Sequence, residues 1–399
     1  MTARRDRTRT RTAPLIVAVL PVAAALLAGC AATSSSQAVS SASTVGSASG
    51  TTSASSSAST PTGTAARAAP TTVPAPGSLL VADFGADTVT FVDPQHGATG
   101  SIRVVTAPYG VVAGADGRAW VSTAEGVAVV DTRARELRQV IAYRTAVGAP
   151  SDGEYRGGGM GLALSPDGSR LYVGVNVPRK SGVLEVIDTA SGQVTGTAPV
   201  GRRPFDVDVS PDGREVYATG HDSFDVTVVG TDSLATRRIE VAPYGTAGGL
   251  GSWLKPHYAA VRPADGRLLL PFEGERLAAV DPRTGQVTVE PMTANTHQHG
   301  TTLTADGRLL VVGTGAIDPD VDTGASLTVR QPDGRERIYP LDGPHENVAS
   351  SPDGHTAYVT GGFTREGYWN GLTIVDLDLD TGATRRLPAG ERPLGIAVL

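Results

Sequence analysis

Ser165-Pro166-Asp167-Gly168, followed by Arg170-Leu171-Tyr172-Val173-Gly174, is the phrase that decides the fold. It returns as Ser210-Pro211-Asp212-Gly213 before Glu215-Val216-Tyr217-Ala218-Thr219-Gly220, and as Ser351-Pro352-Asp353-Gly354 before Thr356-Ala357-Tyr358-Val359-Thr360-Gly361. Looser copies read Ala115-Asp116-Gly117, Ala264-Asp265-Gly266 and Ala305-Asp306-Gly307, each leading into a short apolar run. Pro presets one turn angle, Asp closes a side-chain turn and Gly accepts a positive φ, so each phrase reads as a tight turn between two strands. Copies recur at about 40 to 50 residues, the period of a propeller blade.

Aligned on these turns, inner strands begin at Tyr109, Met160, Phe205, His257, His299, Glu346 and Leu394, which makes seven. Three further runs follow each of the first six, as at 171–175, 183–188 and 193–200 in blade three. The final inner strand, 392–399, has nothing after it. Residues 79–83, 88–92 and 101–105 supply three strands with no inner strand before them. Together they complete one blade and close the ring, removing exposed sheet edges. The expected fold is all-β, a seven-bladed propeller over residues 78–399.

Tyr358-Val359-Thr360-Gly361, with Ser-Pro-Asp-Gly before it and Val186-Ile187-Asp188-Thr189 as the matching third-strand ending, resembles the YVTN-type β-propeller repeat. Blades five and six depart from that pattern. The resemblance implies a bacterial exported or surface propeller, in a group that shades into lactonase-like and dehydrogenase-like propellers. It is specific for fold and weak for function.

The start of the chain reads as an address. Arg4, Arg5, Arg7, Arg9 and Arg11 precede an apolar run from Ala13 to Leu27, which ends in Leu27-Ala28-Gly29-Cys30. Small residues before a cysteine suit a lipoprotein signal over residues 1–29, with Cys30 as the lipidated residue. Cys30 is the only cysteine in the chain, so the domain has no disulfide to rely on. Residues 30–77 are Ser, Thr, Ala, Gly and Pro with few large apolar side chains. That composition cannot offset its ordering entropy and reads as a tether. The chain has 34 Lys and Arg against 40 Asp and Glu; removing residues 1–29 takes away five Arg and Asp6 and leaves a formal charge of −10. Such a surface argues against nucleic acid as a partner, and membrane contact is expected through the lipid alone.

In a blade, the turns joining strands one-two and three-four share one face. Here they are tight. The other face carries the long segments 145–159, 176–181, 243–256, 313–325 and 362–370. Long loops on a rigid scaffold usually carry function. These hold Tyr155, Arg156, Arg179, Lys180, Trp253, Lys255, Phe363, Arg365, Glu366, Tyr368 and Trp369, an aromatic and basic rim that reads either as a binding surface or as loop packing. Of seven histidines, His257, His297, His299 and His345 sit at inner-strand entrances, and His221 lies in a loop of the same face.

Two functions follow from this mouth. The first is a ligand-binding module, with Tyr109, Phe205, His221, Trp253, Tyr258 and Trp369 as contacts for a small ligand or a cell-envelope protein. The alternative is a hydrolase, lyase or oxidoreductase holding one divalent transition metal on His257, His297, His299 and His345, with His345 or Glu346 as acid or base. A polar, water-filled mouth without chemistry is the plain alternative to both. Asp206 and Asp208 share one side of blade four's inner strand, toward the channel, and such buried aspartates want a partner, for which a ligand and Arg202 or Arg203 are equal alternatives. Residues 318–324 have calcium-loop spacing, but the glycine is one place late and Val329 replaces the bidentate Glu. No phosphate loop, Gly-x-Ser-x-Gly elbow or haem motif is present.

Overall fold

The computed structural model describes residues 77–399, apart from 154, 242–254, 273, 275, 295–299, 314–323, 344, 365, 366, 369 and 379–382; of 363, 364, 367 and 368 it describes only the backbone. The signal, the lipidation residue and most of the tether lie outside these residues.

The turn phrase behaves as its chemistry requires. Ser165 Oγ donates to Asp167 Oδ1 (2.5 Å) and accepts from the Arg170 amide (2.9 Å), while the Gly168 amide donates back to the Ser165 carbonyl (2.8 Å). Gly168, Gly213 and Gly354 have φ of +69°, +70° and +76°, a region that favours glycine. In blade six Thr304 takes the serine's place, pairing with Asp306. The Asp-Thr ending of third strands has a reason too. Thr189 Oγ1 donates to the Gly168 carbonyl (2.7 Å) and Thr132 Oγ1 to the Gly117 carbonyl (2.9 Å), tying the two turns of one blade together.

Among the described residues there are seven four-stranded antiparallel sheets. Their innermost strands are Pro393–Val398 in blade one, Val111–Ala113, Gly158–Leu164, Pro204–Val209, Ala260–Val261, Thr301–Leu303 and Asn347–Ser350 in blades two to seven. Leu79–Asp83 pairs with both Thr88–Asp93 and Pro393–Val398, so the two ends of the domain share blade one as expected. The third run of that blade is Gly97–Arg103, displaced from the expected 101–105 because pairing starts directly after the turn at Asp93. A short hairpin, Phe363–Thr364 with Gly367–Tyr368, stands on the loop face of blade seven.

The core lies between blades. Second and third strands are almost wholly buried, and their side chains pack against the neighbouring sheet, as where Val216, Ala218 and Val229 of blade four meet Tyr172, Leu184 and Val186 of blade three. Buried polar groups fasten the blade-to-blade connections. Glu185, fully buried, accepts the Arg144 and Thr145 amides (3.2 and 2.7 Å). Thr227 Oγ1 accepts the Gly201 amide (3.1 Å). A buried carboxylate tolerated here is one that receives two donors.

Where inner strands converge, glycine permits their approach. A Cβ on Gly161 would sit 2.5 Å from Asp206 Cα, one on Gly300 2.8 Å from Asn347 Cα, and one on Gly395 2.4 Å from the Tyr109 carbonyl oxygen. The inner ring is thus packed backbone to backbone at this level, and Asp206, Tyr258 and Asn347 bring side chains to it.

Candidate functional site

Counting back along the ladders, Tyr109, Met160, Phe205, His257, Glu346 and Leu394 hold the same place in six inner strands. His299, expected in the seventh, lies outside the described residues. Tyr109, Met160, Phe205 and Leu394 form one buried cluster with Phe84, Ala107 and Ala124 from the loops. The His257 ring lies against Phe205, tilted by 31° with ring centroids 4.6 Å apart. Tyr258 reaches across the channel: its hydroxyl lies 3.2 Å from the Tyr109 hydroxyl of blade two and donates to Glu346 Oε1 of blade seven at 3.4 Å. Tyr109, His257, Tyr258 and Glu346 are only 3–8% exposed. Buried beside an apolar cluster drawn from blades one to four, these side chains close the channel here instead of lining a water-filled mouth.

On the loop side of this plug a charged cluster is anchored by Asp222. Its carboxylate accepts His221 Nδ1 (2.9 Å) and Lys255 Nζ (3.2 Å) on Oδ1, and pairs through Oδ2 with the Arg203 guanidinium (3.0 Å). Gly220 ends the second strand of blade four, and the single 3-10 turn His221–Ser223 then points both side chains inward; Phe224, at φ +58°, closes it. Burial works to raise the Asp222 pKa, yet His221, Arg203 and Lys255 together hold it well below the ordinary carboxylate range. Burial lowers His221 to about 4, against the opposing pull of Asp222, so its imidazole is neutral near pH 7. With Nδ1–H assigned to Asp222 by hydrogen bonding, Nε2 is the acceptor. Nε2 is buried with no hydrogen-bond partner among the described residues. The His221 and His257 rings lie 4.0 Å apart at 66°. Tyr155, 40% exposed, carries the Arg203 guanidinium 3.7 Å from its ring centroid and brings this cluster to the surface.

The expected contacts divide accordingly. Phe205, His221 and His257 meet, with Tyr258 and Tyr109 beside them. Trp253 and Trp369 lie outside the described residues, as do His297, Arg365, Glu366, the side chains of Phe363 and Tyr368, and most of the calcium-like segment. His345 turns away. Its Nε2 bonds Thr373 Oγ1 (2.9 Å) and its Nδ1 the Gly343 carbonyl, so both nitrogens serve blade seven and its connection. Among the described residues no three His, Cys, Asp or Glu side chains are placed to hold a metal ion. The expected set of His257, His297, His299 and His345 therefore does not form around His345.

Arg156, expected on the rim, is 3% exposed and donates to the Ala107 and Gly159 carbonyls (2.7 and 3.0 Å). It packs a loop. Asp206 takes neither arginine: its oxygens accept the Ala259 and Val207 amides (2.7 and 3.0 Å), stitching blade four to blade five, where the inner strand is only two residues long. Arg203 belongs to Asp222. That carboxylate escaped the sequence reading, although His221-Asp222 directly after the Thr-Gly ending of a second strand marked a paired turn on the loop face.

No family model matches the chain, and no curated protein matches its sequence. The YVTN repeat is thus a resemblance in the turn phrase and not a family assignment. Among solved structures, a catalytically inactive histidine-to-alanine variant of virginiamycin B lyase from Staphylococcus aureus, crystallised with quinupristin, is similar. The two share 14% sequence identity and a TM-score of 0.53, over 79% of this chain and 91% of that one. What this likeness shows is a common propeller fold.

Proposed function

We propose that the chain is an exported propeller, anchored through Cys30, that binds a small ligand or an envelope protein on its loop face. The supporting observation is the Asp222 cluster. His221, Lys255 and Arg203 come from separate segments of blades four and five to one carboxylate, next to an exposed Tyr155 and directly above a sealed channel. Closing the ring needs no such group, and two cations with a neutral imidazole acceptor suit a polar or anionic ligand part. Ligand-observed NMR with an acidic and aromatic fragment library tests this. Fragments should bind the parent and lose affinity in His221→Ala and Lys255→Ala; fragments that ignore both variants would sink it. For the anchor, Cys30→Ser should move the chain from the membrane fraction to the soluble one. No helix among the described residues is long and apolar enough to cross a membrane.

A catalytic reading has one observation of its own. His221, oriented by Asp222 through Nδ1 and presenting Nε2 as a neutral base, has the arrangement general-base catalysis uses. The similar virginiamycin B lyase is an enzyme, and its inactive form lacks a histidine. Incubation with quinupristin, followed by mass spectrometry of parent and His221→Ala, tests that relation. A metal on His257, His297 and His299 would need ligands beyond those described, and no step is assigned to one; elemental analysis of chain purified without chelator decides it.

A further inference from the structure

Below the plug, the central channel is a cavity of about 700 Å³. Tyr109, Phe205, Tyr258 and Leu394 close it at the loop face, while exposed Pro263 and Ala305, both in tight turns, line its other end. The cavity therefore opens on the tight-turn face, opposite the Asp222 cluster. Its walls are inner-strand backbone and small or apolar side chains such as Val112, Leu164, Val209 and Leu303. Among the described residues that line it, the only charged ones are Asp206 and Asp208. Alternate residues of one strand share a side, so the two carboxyl groups lie together. Asp206 is committed to two backbone amides. Asp208 is half-buried: its Oδ2 has no exposed surface and no hydrogen-bond partner among the described residues, and the rest of the side chain lines the cavity. A carboxylate so placed is costly unless a cation or a proton accompanies it.

We propose that the channel is a binding site for a small organic cation, whose ammonium pairs with Asp208, backed by Asp206, and whose apolar body lies along the inner strands. The volume fits a small molecule, since such sites span about 300–1,000 Å³. A bare metal ion fits less well. Calcium takes about six to eight oxygen ligands, and Asp208 offers the one carboxylate not already held by amides. The site is independent of the loop-face reading, because Tyr258 and its neighbours separate the two.

The test uses the full chain in detergent, with 4-phenylbutylamine as probe and 4-phenylbutan-1-ol as its neutral counterpart, by titration calorimetry. The amine should bind at least about tenfold more tightly than the alcohol, a gap of ~1.4 kcal/mol. Asp208→Asn, nearly isosteric, should erase that preference, and Thr302→Phe, two blades away on the cavity wall, should block both probes by filling the channel. Asp265→Asn, an exposed carboxylate on the same face but outside the cavity, should leave binding intact. Equal binding of amine and alcohol, no binding of either, or indifference to Asp208→Asn overturns the proposal. So does an Asp208-dependent shift with calcium or magnesium that the amine does not give.

Discussion

Asp208→Asn should stabilise the protein in neutral and alkaline solution and do nothing in acid. Burial, and then the charge of Asp206, holds the Asp208 pKa well above its ordinary value. Burial likewise lifts Asp206 from 3.8 to about 6, against the pull of the Ala259 and Val207 amides. For Asp206 that is roughly two pKa units at ~1.36 kcal/mol each, or about 3 kcal/mol favouring the protonated form in the native state. A carboxyl group raised on folding binds its proton more tightly folded than unfolded. Its contribution to stability is full below the unfolded pKa near 4, and is lost as pH rises through the folded value. For Asp206 that window is about pH 4 to 6; for Asp208 it extends higher. The introduced carboxamide imitates the protonated acid and relieves Asp206 of a neighbouring charge. The variant should exceed the parent by about 1–3 kcal/mol at pH 8, and the two should converge near pH 4. Urea unfolding followed by circular dichroism at pH 4, 6 and 8 measures the difference. A gap that does not change with pH, or a variant less stable at pH 8, would refute the buried-carboxylate account.

Three further outcomes can be measured. Gly161→Ala drives a methyl group to 2.5 Å from Asp206 Cα, so unfolding free energy should fall by about 1–3 kcal/mol, less the few tenths that alanine gains by restricting the unfolded chain. His345→Ala removes the Thr373 and Gly343 contacts and should lower the urea midpoint, with a loss of about 1–3 kcal/mol, while elemental analysis shows metal content unchanged. Tyr258→Phe takes one donor from buried Glu346 and one partner from Tyr109, so about 1–3 kcal/mol of unfolding free energy should be lost in urea titrations.

Local chemistry was legible in the sequence and convergence was not. Ser165, Asp167 and Gly168 act within six residues of one another, so their roles follow from adjacency, and repetition then counts the blades. The inner-strand starts were also readable, because each lies a nearly fixed distance before its turn. Which way a side chain leaves such a start depends on the neighbouring blade. His345 and Glu346 are adjacent, yet one turns to Thr373 and the other to Tyr258. Asp206 needs a partner by its place in an inner strand, an arginine or a ligand by the sequence alone, but beside the short inner strand of blade five its carboxylate takes the Ala259 amide. Tyr258 closing the channel onto blades two and seven rests on a length and angle that no spacing encodes.

Joining the first described strand to the last imposes an order of events on biosynthesis. Leu79–Asp83 is buried along its whole length and finds its inner neighbour only in Pro393–Val398. While the intervening blades are being made, that apolar edge waits, open to any strand that can pair with it. Joining it then closes a very long loop, whose entropic penalty grows only with the logarithm of its length. The delay, more than the final free energy, exposes the nascent protein to aggregation and proteolysis. Cellular quality control would thus act on the time before the last strand arrives.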